Sequence, residues 1–432
     1  MMRAAKFLSA PGLIAASLLA GCAHLAPSLP LDVSRHAEID NAIESFIARQ
    51  LLPGAVFRVE RDGAFYQKAY GKHTFETDAT TVTLDTVFDV ASLTKVIATA
   101  PAVMLLVEEG KVALDVPLIQ YLPQCTGGDK ESITVRHLLT HTSGLAAGLP
   151  AKPPWRGEES ALTLACEQLV THPPGSYFRY SDINFTLLGL LVQRVGGLPL
   201  NDFVAQRLYA PMRMHDTGYL PLKRIPAARI APTQAPTQKM VDGTVQSLTG
   251  DLPDGQALQG AVHDPTVRRM GGVGGSAGVF TTLADVARLA RMLLNEGELD
   301  GVRVLSRDSV RLMSTVQSPS DIEWRRSAGW DIDSPYSRPR GSVFPIGSYG
   351  HTGFTGCILW IDPFSKTFYV FLSNRVYPND KANILDLYAR LGTASAQMVQ
   401  GFDFKQVAGA LPAKSAAIVP LSPTPSASPT PH

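Results

Sequence analysis

Alternating apolar and polar positions predict strands near both ends of this chain. Two such runs, 54–60 and 64–70, are separated by an Asp-Gly pair, which is a strong signal for a tight hairpin turn. Strand patterns return at about 347–361 and 366–373, which contain short runs of β-branched and aromatic residues. The sequence therefore predicts strand-rich segments at the two ends of the chain.

Helical periodicity dominates the chain between those strands. The stretch 221–260 differs, because it contains several Pro and Gly residues and has no clear period, which predicts a long surface excursion. The C-terminal segment 401–432 ends in a low-complexity Pro, Ser and Thr sequence and is predicted to be a disordered tail. Apolar residues recur at helical spacing in segments at about 36–50, 96–107, 185–192, 283–294 and 381–400.

The N-terminus has the pattern of an export signal. Arg3 and Lys6 precede an apolar run, 13–20, that is too short to span a bilayer as a permanent helix. The run ends in Leu-Ala-Gly-Cys22, which resembles the bacterial lipoprotein cleavage box and implies cleavage after residue 21 and lipidation of Cys22. An ordinary signal peptide with a chance cysteine is the alternative. Ala23 is not acidic, which favours the outer membrane if the host is Gram-negative.

Composition places the chain among ordinary globular proteins and argues against nucleic-acid binding. Its 432 residues are 45% hydrophobic and 18% charged, with a formal net charge of +1. Loss of the two basic residues in the signal peptide changes the mature charge to −1. We find no basic stripe with interleaved aromatic residues, so no nucleic-acid partner is expected. The length suits two domains or one composite domain, after a short tether at 22–35.

Three cysteines remain once Cys22 is acylated, in a compartment that permits disulfides. Cys125 and Cys166 are the favoured pair because both fall in one predicted helical region, although a sequence does not fix their geometry. Cys357 lies on a strand pattern, where a small core residue and a reactive thiol are equally compatible with the sequence. No Cys or His spacing resembles a zinc site, and we expect neither a metal nor a cofactor.

The first candidate for chemistry is Ser92-x-x-Lys95, directly before the apolar helix at 96–107. Residues three apart share a helix face, so the serine hydroxyl and the lysine amine are predicted to lie together. They would lie at a helix N-terminus, where the backbone N–H groups and the dipole favour developing negative charge. This arrangement suits a nucleophilic serine with lysine as its base.

Two further motifs follow at long spacing. Tyr180-Ser-Asp182 stands about 85 residues after Lys95, and a tyrosine beside a lysine can carry a proton between nucleophile and leaving group. His351-Thr-Gly353 stands about 170 residues further on, at the start of a strand pattern. Such a strip can hydrogen-bond an extended substrate and can present a backbone N–H to an oxyanion.

In the order and spacing of these three motifs, the chain resembles the serine β-lactamase and penicillin-binding-protein superfamily. The resemblance covers residues 36–395 and is to the branch of class C β-lactamases, D,D-peptidases and related esterases. The stretches 138–144 and 262–280 look similar to a penicillin-binding-protein-4B-like subgroup of lipoproteins.

The resemblance implies an α+β fold of the β-lactamase/transpeptidase type. In that fold one antiparallel sheet is built from both chain ends, with flanking helices and an inserted, mainly helical lobe. Segments 36–108 and 266–400 would form the α/β lobe and 109–265 the helical lobe, with the site where the lobes meet.

The resemblance also implies acyl transfer through a covalent intermediate on Ser92. Lys95 would act as the base, its pKa lowered by burial, and Tyr180 would relay the proton towards the leaving group. The oxyanion would lie between the N–H groups of Ser92 and Phe354. The predicted substrate-binding residues are Asp182, His351, Thr352, Gly353 and Phe354.

Two residues depart from the better-known members of the superfamily. Asp182 stands where they have Asn, and an ionised carboxylate cannot donate a hydrogen bond to a substrate carbonyl. It would also favour the charged form of Lys95 and oppose its role as base. Three alternatives follow: Tyr180 carries more of the base work, Asp182 is protonated, or the substrate brings its own donor. His351 replaces the usual Lys and would attract a substrate carboxylate less firmly. If it binds such a carboxylate, turnover of acidic substrates should improve below about pH 6.5. A histidine that merely bridges two strands is the alternative.

Other nucleophile and histidine candidates are weaker. Gly274–Gly278 fits the Gly-x-Ser-x-Gly pattern of α/β-hydrolases, but Arg268 and Arg269 precede it where an apolar strand is required. We therefore predict a glycine-rich turn and not a nucleophile at Ser276. His137 and His141 lie in a helix-to-turn segment and are predicted to be structural.

Together these features predict an envelope serine hydrolase, lipid-anchored and facing the periplasm. D-alanyl peptides of the cell wall are the expected substrates, with a D,D-carboxypeptidase or D-aminopeptidase type of activity. One alternative is a promiscuous carboxylesterase with weak β-lactamase activity. A lipoprotein that binds penicillin or muropeptides without turnover is an alternative of another class. Substrates are thus expected to be small peptides, esters or β-lactams, and the oligomeric state stays open.

Overall fold

The structure, a computed structural model, describes residues 31–236, 238–241, 244–247 and 257–412. The predicted signal peptide, Cys22 and all but the last residues of the tether lie outside the described residues, as does most of the predicted tail. Predictions for those segments, and for the exact lobe boundaries, stay predictions.

Strands occur near both chain ends, and several short strand pairs lie between them. The strands are β1 (Gly54–Arg61), β2 (Ala64–Gly71), β3 (Phe88–Asp89), β4 (Gln238–Val241), β5 (Thr244–Ser247), β6 (Phe280–Thr281), β7 (Glu298–Leu299), β8 (Val302–Arg303), β9 (Arg325–Arg326), β10 (Asp331–Asp333), β11 (Tyr349–Gly353), β12 (Cys357–Asp362) and β13 (Thr367–Ser373).

Seven strands form one sheet in the order β2-β1-β13-β12-β11-β10-β9, and every neighbouring pair is antiparallel. The predicted hairpin is present, and its two turn residues have positive φ (Asp62 46°, Gly63 85°), as a tight hairpin turn requires. The predicted strand 347–361 is in fact two strands, because the chain reverses at Gly356, which has a φ of 100°. The prediction of one antiparallel sheet built from both ends is confirmed.

Helices cover both faces of this sheet and fill the middle of the chain. They are α1 (His36–Ala48), α2 (Ala100–Glu108), α3 (Val135–Leu139), α4 (Glu158–Glu167), α5 (Asp182–Gly196), α6 (Leu200–Val204), α7 (Pro265–Arg269), α8 (Leu283–Leu294), α9 (Arg307–Ser314) and α10 (Leu385–Gln397).

Two separate cores form on the two faces of the sheet. Val370 of β13 packs in the core that includes α2, α5 and α8, while its neighbours Tyr369 and Phe371 pack in the core with α1 and α10. β12 alternates in the same way, with Leu359 on the first face and Trp360 on the second. Because both faces are covered, the central strands read as continuous apolar runs instead of an alternation of apolar and polar residues.

The middle of the chain packs around α5, whose residues 183–192 are all buried. Cys166, in α4, is disulfide-bonded to Cys125, which is the pair favoured by the sequence. The free Cys357 is buried in the sheet, where burial raises the pKa of its thiol to about 12. This residue is therefore a core residue and not a reactive thiolate.

The segment Ala91–Glu108 is the central helical element of the fold. Its length and mean hydropathy of 1.5 would suit a membrane span, but 83% of it is buried inside the protein. It begins as a 3₁₀ turn at Ala91–Leu93, continues as a π-helical turn at Lys95–Thr99 and becomes α-helical at α2. Pro101 has no N–H to donate to the preceding turn, which interrupts the regular hydrogen-bond ladder there.

Replacing Phe371 by Ala should lower the free energy of unfolding by about 3–5 kcal/mol, because the side chain is fully buried between β13 and the α1/α10 layer. The matched control is Phe65→Ala in the edge strand β2, where the ring is 45% exposed and the loss should be about 1 kcal/mol. Urea denaturation followed by tryptophan fluorescence measures both. Equal losses for the two variants would contradict the two-core description.

Candidate active site

The nucleophile candidate Ser92 lies on a tight turn between β3 and the central helix. The residue before it, Ala91, has a φ of +45°, which is a strained conformation for alanine. Asp89 holds this turn, because its Oδ1 accepts a hydrogen bond of 2.8 Å from the N–H of Ala91. The turn leaves Ser92 half-buried at the surface of the cleft, at the start of the helix as predicted.

Asp89 also connects two distant segments to this turn. Its Oδ2 accepts from the backbone N–H of His263 at 2.7 Å, and its carbonyl accepts from the hydroxyl of Thr355 at 2.6 Å. Burial raises the pKa of Asp89 to about 6, although the backbone hydrogen bonds oppose the rise. The carboxyl group of Asp89 thus holds the nucleophile turn and the 262–264 loop, and its backbone carbonyl holds the turn that follows β11.

Lys95 is fully buried and faces Ser92 from the next turn of the helix. Its Nζ lies 3.0 Å from Ser92 Oγ, 2.8 Å from the carbonyl of Ser276 and 2.7 Å from Oδ1 of Asp182. The Ser-x-x-Lys spacing therefore brings the two groups together as the sequence predicts. The carbonyl and the carboxylate complete the coordination of the ammonium group.

The expected lowering of the Lys95 pKa is wrong. Burial does lower the pKa of Lys95, but the charge of Asp182, together with Tyr180 and the hydrogen bonds to both residues, outweighs it and raises the pKa above its ordinary value. The buried ammonium is therefore the resting form of this side chain. As expected from the sequence, Asp182 favours this charged form.

Tyr180 and Asp182 reach the site on the segment that enters α5. Ser181 caps this helix through its hydroxyl, and the backbone N–H of Asp182 donates to the carbonyl of Ala147 at 2.7 Å. The Tyr180 ring lies 5.2 Å from Lys95 Nζ, and 5.2 Å from the Tyr336 ring. The second predicted motif is thus beside the first.

His141 was predicted to be structural, but it also lines the site. Its ring lies 4.5 Å from that of Tyr180, and its Nδ1 accepts a hydrogen bond of 3.1 Å from the backbone N–H of Ser181. The proton of neutral His141 is therefore on Nε2, a buried donor without a partner among the described residues. His137 behaves as predicted, since it forms a capping box with Thr134 at the start of α3.

The third motif occupies β11, next to the nucleophile turn. A Cβ on Gly353 would lie 2.2 Å from the carbonyl oxygen of Val90, so only glycine allows the strand to come this close. Thr352 is half-buried beside it. Phe354, the next residue, is 51% exposed, with its ring 5.8 Å from that of His263 and 4.6 Å from the guanidinium of Arg375.

His351 is buried and neutral. Burial, together with the charges of Arg326 and Lys95, lowers its pKa well below the ordinary value. Its Nδ1 lies 2.8 Å from the carbonyl of Thr352 and must be the protonated nitrogen, so Nε2 carries a lone pair. The expectation that His351 gains a proton below pH 6.5 and then attracts a substrate carboxylate is therefore not supported.

Ser276 is not a nucleophile elbow. Its side chain is buried, and no strand-to-helix turn surrounds it; the residues before β6 form a glycine-rich turn, as predicted. A Cβ on Gly275 would lie 2.0 Å from the carbonyl of Phe185, which explains the glycine. The role of this turn is to place the Ser276 carbonyl against Lys95.

Sequence reasoning missed Asp89 and the loop residue Asp264, which lies within electrostatic reach of Asp182 and Lys95. The stretch 262–264 had a recognisable signal, since it resembles the family, but no role could be read from it. In the described part of the chain, no group of three or more His, Cys, Asp or Glu residues is placed to hold a metal ion.

A strained serine turn, a buried lysine three residues later, a neighbouring tyrosine and a close β-strand define a serine hydrolase of the acyl-transfer type. The profile of the Beta-lactamase family matches residues 39–394, and the chain belongs to this family.

The relatives include proteins named as a carboxypeptidase and as an amidase. An Escherichia coli K12 protein provisionally named a D-alanyl-D-alanine carboxypeptidase is 28% identical, over 81% of this chain and 86% of its own. The N-acetylmuramyl-L-alanine amidase of Bacillus subtilis 168 is 30% identical, over 81% of this chain and 84% of its own. A solved class C β-lactamase superposes with a TM-score of 0.65 at 20% identity, covering 86% and 98% of the two chains. The predicted superfamily and fold are confirmed.

Replacing Gly353 by Ala should slow acylation of Ser92 at least about tenfold, because the added Cβ must push β11 away from Val90. Gly148→Ala is the matched control, since a Cβ there has no heavy atom within 4 Å. The rate of labelling by a fluorophosphonate measures both, with circular dichroism to confirm that the variants are folded. Unchanged labelling in a folded Gly353→Ala would contradict the close approach.

His351→Asn should change the rate by the same factor at every pH between 5.5 and 8. A folded-state pKa well below 6.5 keeps His351 neutral throughout this range, so it contributes no titration. The measurement is kcat/KM against pH for both proteins on one neutral ester. A ratio that rises below pH 6.5 would show that His351 gains a proton there.

Proposed function

We propose that this protein hydrolyses peptides of the bacterial cell wall through an acyl-enzyme on Ser92. The observation that carries the proposal is the contact of Ser92 Oγ with the buried ammonium of Lys95, 3.0 Å away, with Tyr180 packed against the same ammonium. These are the groups that acyl transfer requires, namely a nucleophile, a fixed positive charge and a proton carrier.

We assign the proton transfer to Tyr180. Asp182 keeps Lys95 protonated, so Lys95 does not take the Ser92 proton. As Oγ forms its bond to the substrate carbonyl carbon, the Tyr180 oxygen accepts the Ser92 proton while its own O–H proton passes to the leaving group, and the scissile bond breaks. Water attacks the acyl-enzyme, returns a proton to Ser92 and releases the acid. The N–H groups of Ser92 and Phe354 are the proposed oxyanion donors.

D-alanyl peptides are the first proposed substrates. The E. coli relative's name supports this assignment, as does the strip on β11, which can pair with an extended peptide. A D,D-carboxypeptidase and a D-aminopeptidase are the two types that fit. Cleavage of the bond between N-acetylmuramic acid and L-alanine is a second candidate, favoured by the name of the relative that is 30% identical.

We further propose that the protein works in the cell envelope. The Leu-Ala-Gly-Cys22 sequence supports a lipid anchor at Cys22, and the apolar run before it supports export. The predicted location is the periplasmic side of a membrane, where peptidoglycan fragments are accessible.

Exposure of residues 23–432 to a penicillin, and separately to a fluorophosphonate, should give an adduct on Ser92 in peptide mass spectrometry. Turnover of a D-alanyl-D-alanine peptide and of muramyl-L-alanyl-D-isoglutamine is then measured. Ser92→Ala should abolish labelling and turnover by both tests, whereas Ser320→Ala, at an exposed surface serine, should leave them unchanged.

Each alternative gives a different result. An adduct on Ser276 would overturn the nucleophile. Fluorophosphonate labelling combined with turnover of short-chain esters alone would favour an esterase. A stable adduct without turnover of any substrate would identify a binding protein.

A further inference from the structure

One ammonium faces two carboxylates around the nucleophile. Lys95 Nζ is bound to Oδ1 of Asp182, which is buried. The Asp182 side chain is nevertheless 39% exposed, so its second oxygen faces the cleft. A negatively charged oxygen is thus open to a substrate, two hydrogen bonds away from Ser92 Oγ through Lys95.

Asp264 is the second carboxylate. It is half-buried at the start of α7, where its Oδ1 accepts a hydrogen bond of 2.8 Å from the N–H of Val267. Burial and then the charge of Asp182 raise the pKa of Asp264, although Lys95 opposes the rise. The Lys95 ammonium group is thus within electrostatic reach of both carboxyl groups.

His351 adds a third acceptor, and its free ring nitrogen has no donor among the described residues. It is 4% exposed, and its Nδ1–H is bound to the Thr352 carbonyl, which leaves a lone pair on Nε2. Nε2 has no hydrogen-bond partner among the described residues, and the ring lies 6.0 Å from that of Tyr180. This observation is independent of the two carboxylates, and it also indicates a missing hydrogen-bond donor.

The arginines near the site contact protein groups. Arg326 is fully buried, forms an ion pair of 3.2 Å with Asp331 and donates to the carbonyl of Gly329, while its Nε has no hydrogen-bond partner among the described residues. Arg375 donates to the carbonyls of Phe354 and Ala382, and Arg268 donates to those of Val262 and His263. These guanidinium groups are thus engaged within the protein, whereas the exposed part of Asp182 is open to a substrate.

We propose that the site selects substrates with a protonated amino group beside the scissile carbonyl, recognised by Asp182 and His351, with Asp264 adding to the negative field around Asp182. An α-amine is two bonds from that carbonyl carbon, which matches the short path from Ser92 to Asp182. The inference rests on the proposed Ser92 acyl-enzyme and narrows it, because it favours the D-aminopeptidase type over the D,D-carboxypeptidase type. A carboxypeptidase substrate carries an uncharged amide at this position.

The test uses three p-nitroanilides with the same D-alanyl group and the same leaving group. D-alanine p-nitroanilide has a free amine, the N-acetyl compound is neutral, and the N-succinyl compound carries a carboxylate. The wild-type kcat/KM should fall in that order, by about tenfold or more from first to last, because a hydrogen bond to a charged partner is lost and then replaced by repulsion.

Asp264→Asn should narrow this preference, since it removes the charge but keeps an oxygen for the N–H of Val267. Asp182→Asn should narrow the preference for the free amine further. The kcat/KM values of the three substrates are compared as ratios within each variant, so that a general loss of rate does not affect the result. Asp300→Asn, at a surface ion pair with Arg288, is the matched control and should leave the ratio unchanged.

A wild type that prefers the acetyl or succinyl compound would overturn the inference and leave the Ser92 mechanism intact. The same holds if none of the three is cleaved while a D-alanyl-D-alanine peptide is. An amine preference that Asp182→Asn and Asp264→Asn both retain would also overturn it. Absence of any Ser92-dependent turnover would overturn the proposed function itself.

Discussion

The site depends on one buried charge. Lys95 has no exposure to solvent, and an isolated ammonium in such a place would cost several kcal/mol. Asp182, the Ser276 carbonyl and Ser92 Oγ satisfy it from three different parts of the chain. Because the ion pair must be intact for the ammonium to stay buried, it fixes the relative positions of the central helix, the start of α5 and the glycine-rich turn.

The ion pair between Lys95 and Asp182 also determines the mechanism that we propose. In the proposed mechanism, Lys95 in its charged form is a fixed positive group and the neighbouring Tyr180 exchanges the protons. Neutral His141 and neutral His351 flank that tyrosine, one with a donor nitrogen and the other with an acceptor nitrogen. The site therefore combines one strong ion pair with imidazoles whose tautomers are set by backbone groups.

The sequence was sufficient to predict the groups that lie in short contiguous motifs. Ser92 and Lys95 share a helical turn, so their spacing alone brings them together. Asp89 could not be predicted, because its contacts come from residues 174 and 266 positions away. The direction of the Lys95 pKa shift was predicted wrongly for a related reason. Burial and the charge of Asp182 were both recognised, but their balance depends on the 2.7 Å distance between Lys95 Nζ and Asp182 Oδ1, which a sequence pattern does not specify. The ends of strands that are buried on both faces were also hard to predict, since β11 and β12 were predicted as one strand at 347–361.

The arrangement of the sheet has a consequence for how the protein is made. β1 has two neighbours in the sheet, and one of them is β13, more than 300 residues later in the chain. Closing so long a loop is entropically costly and slow. The β1–β2 hairpin therefore keeps the β1 edge unpaired until β13 has been synthesised. β11, which packs against the nucleophile turn, is also made late. A chain that stops before β11 and β13 would contain Ser92, Lys95 and Tyr180 but no assembled site, so the hydrolase stays inactive until its synthesis is nearly complete.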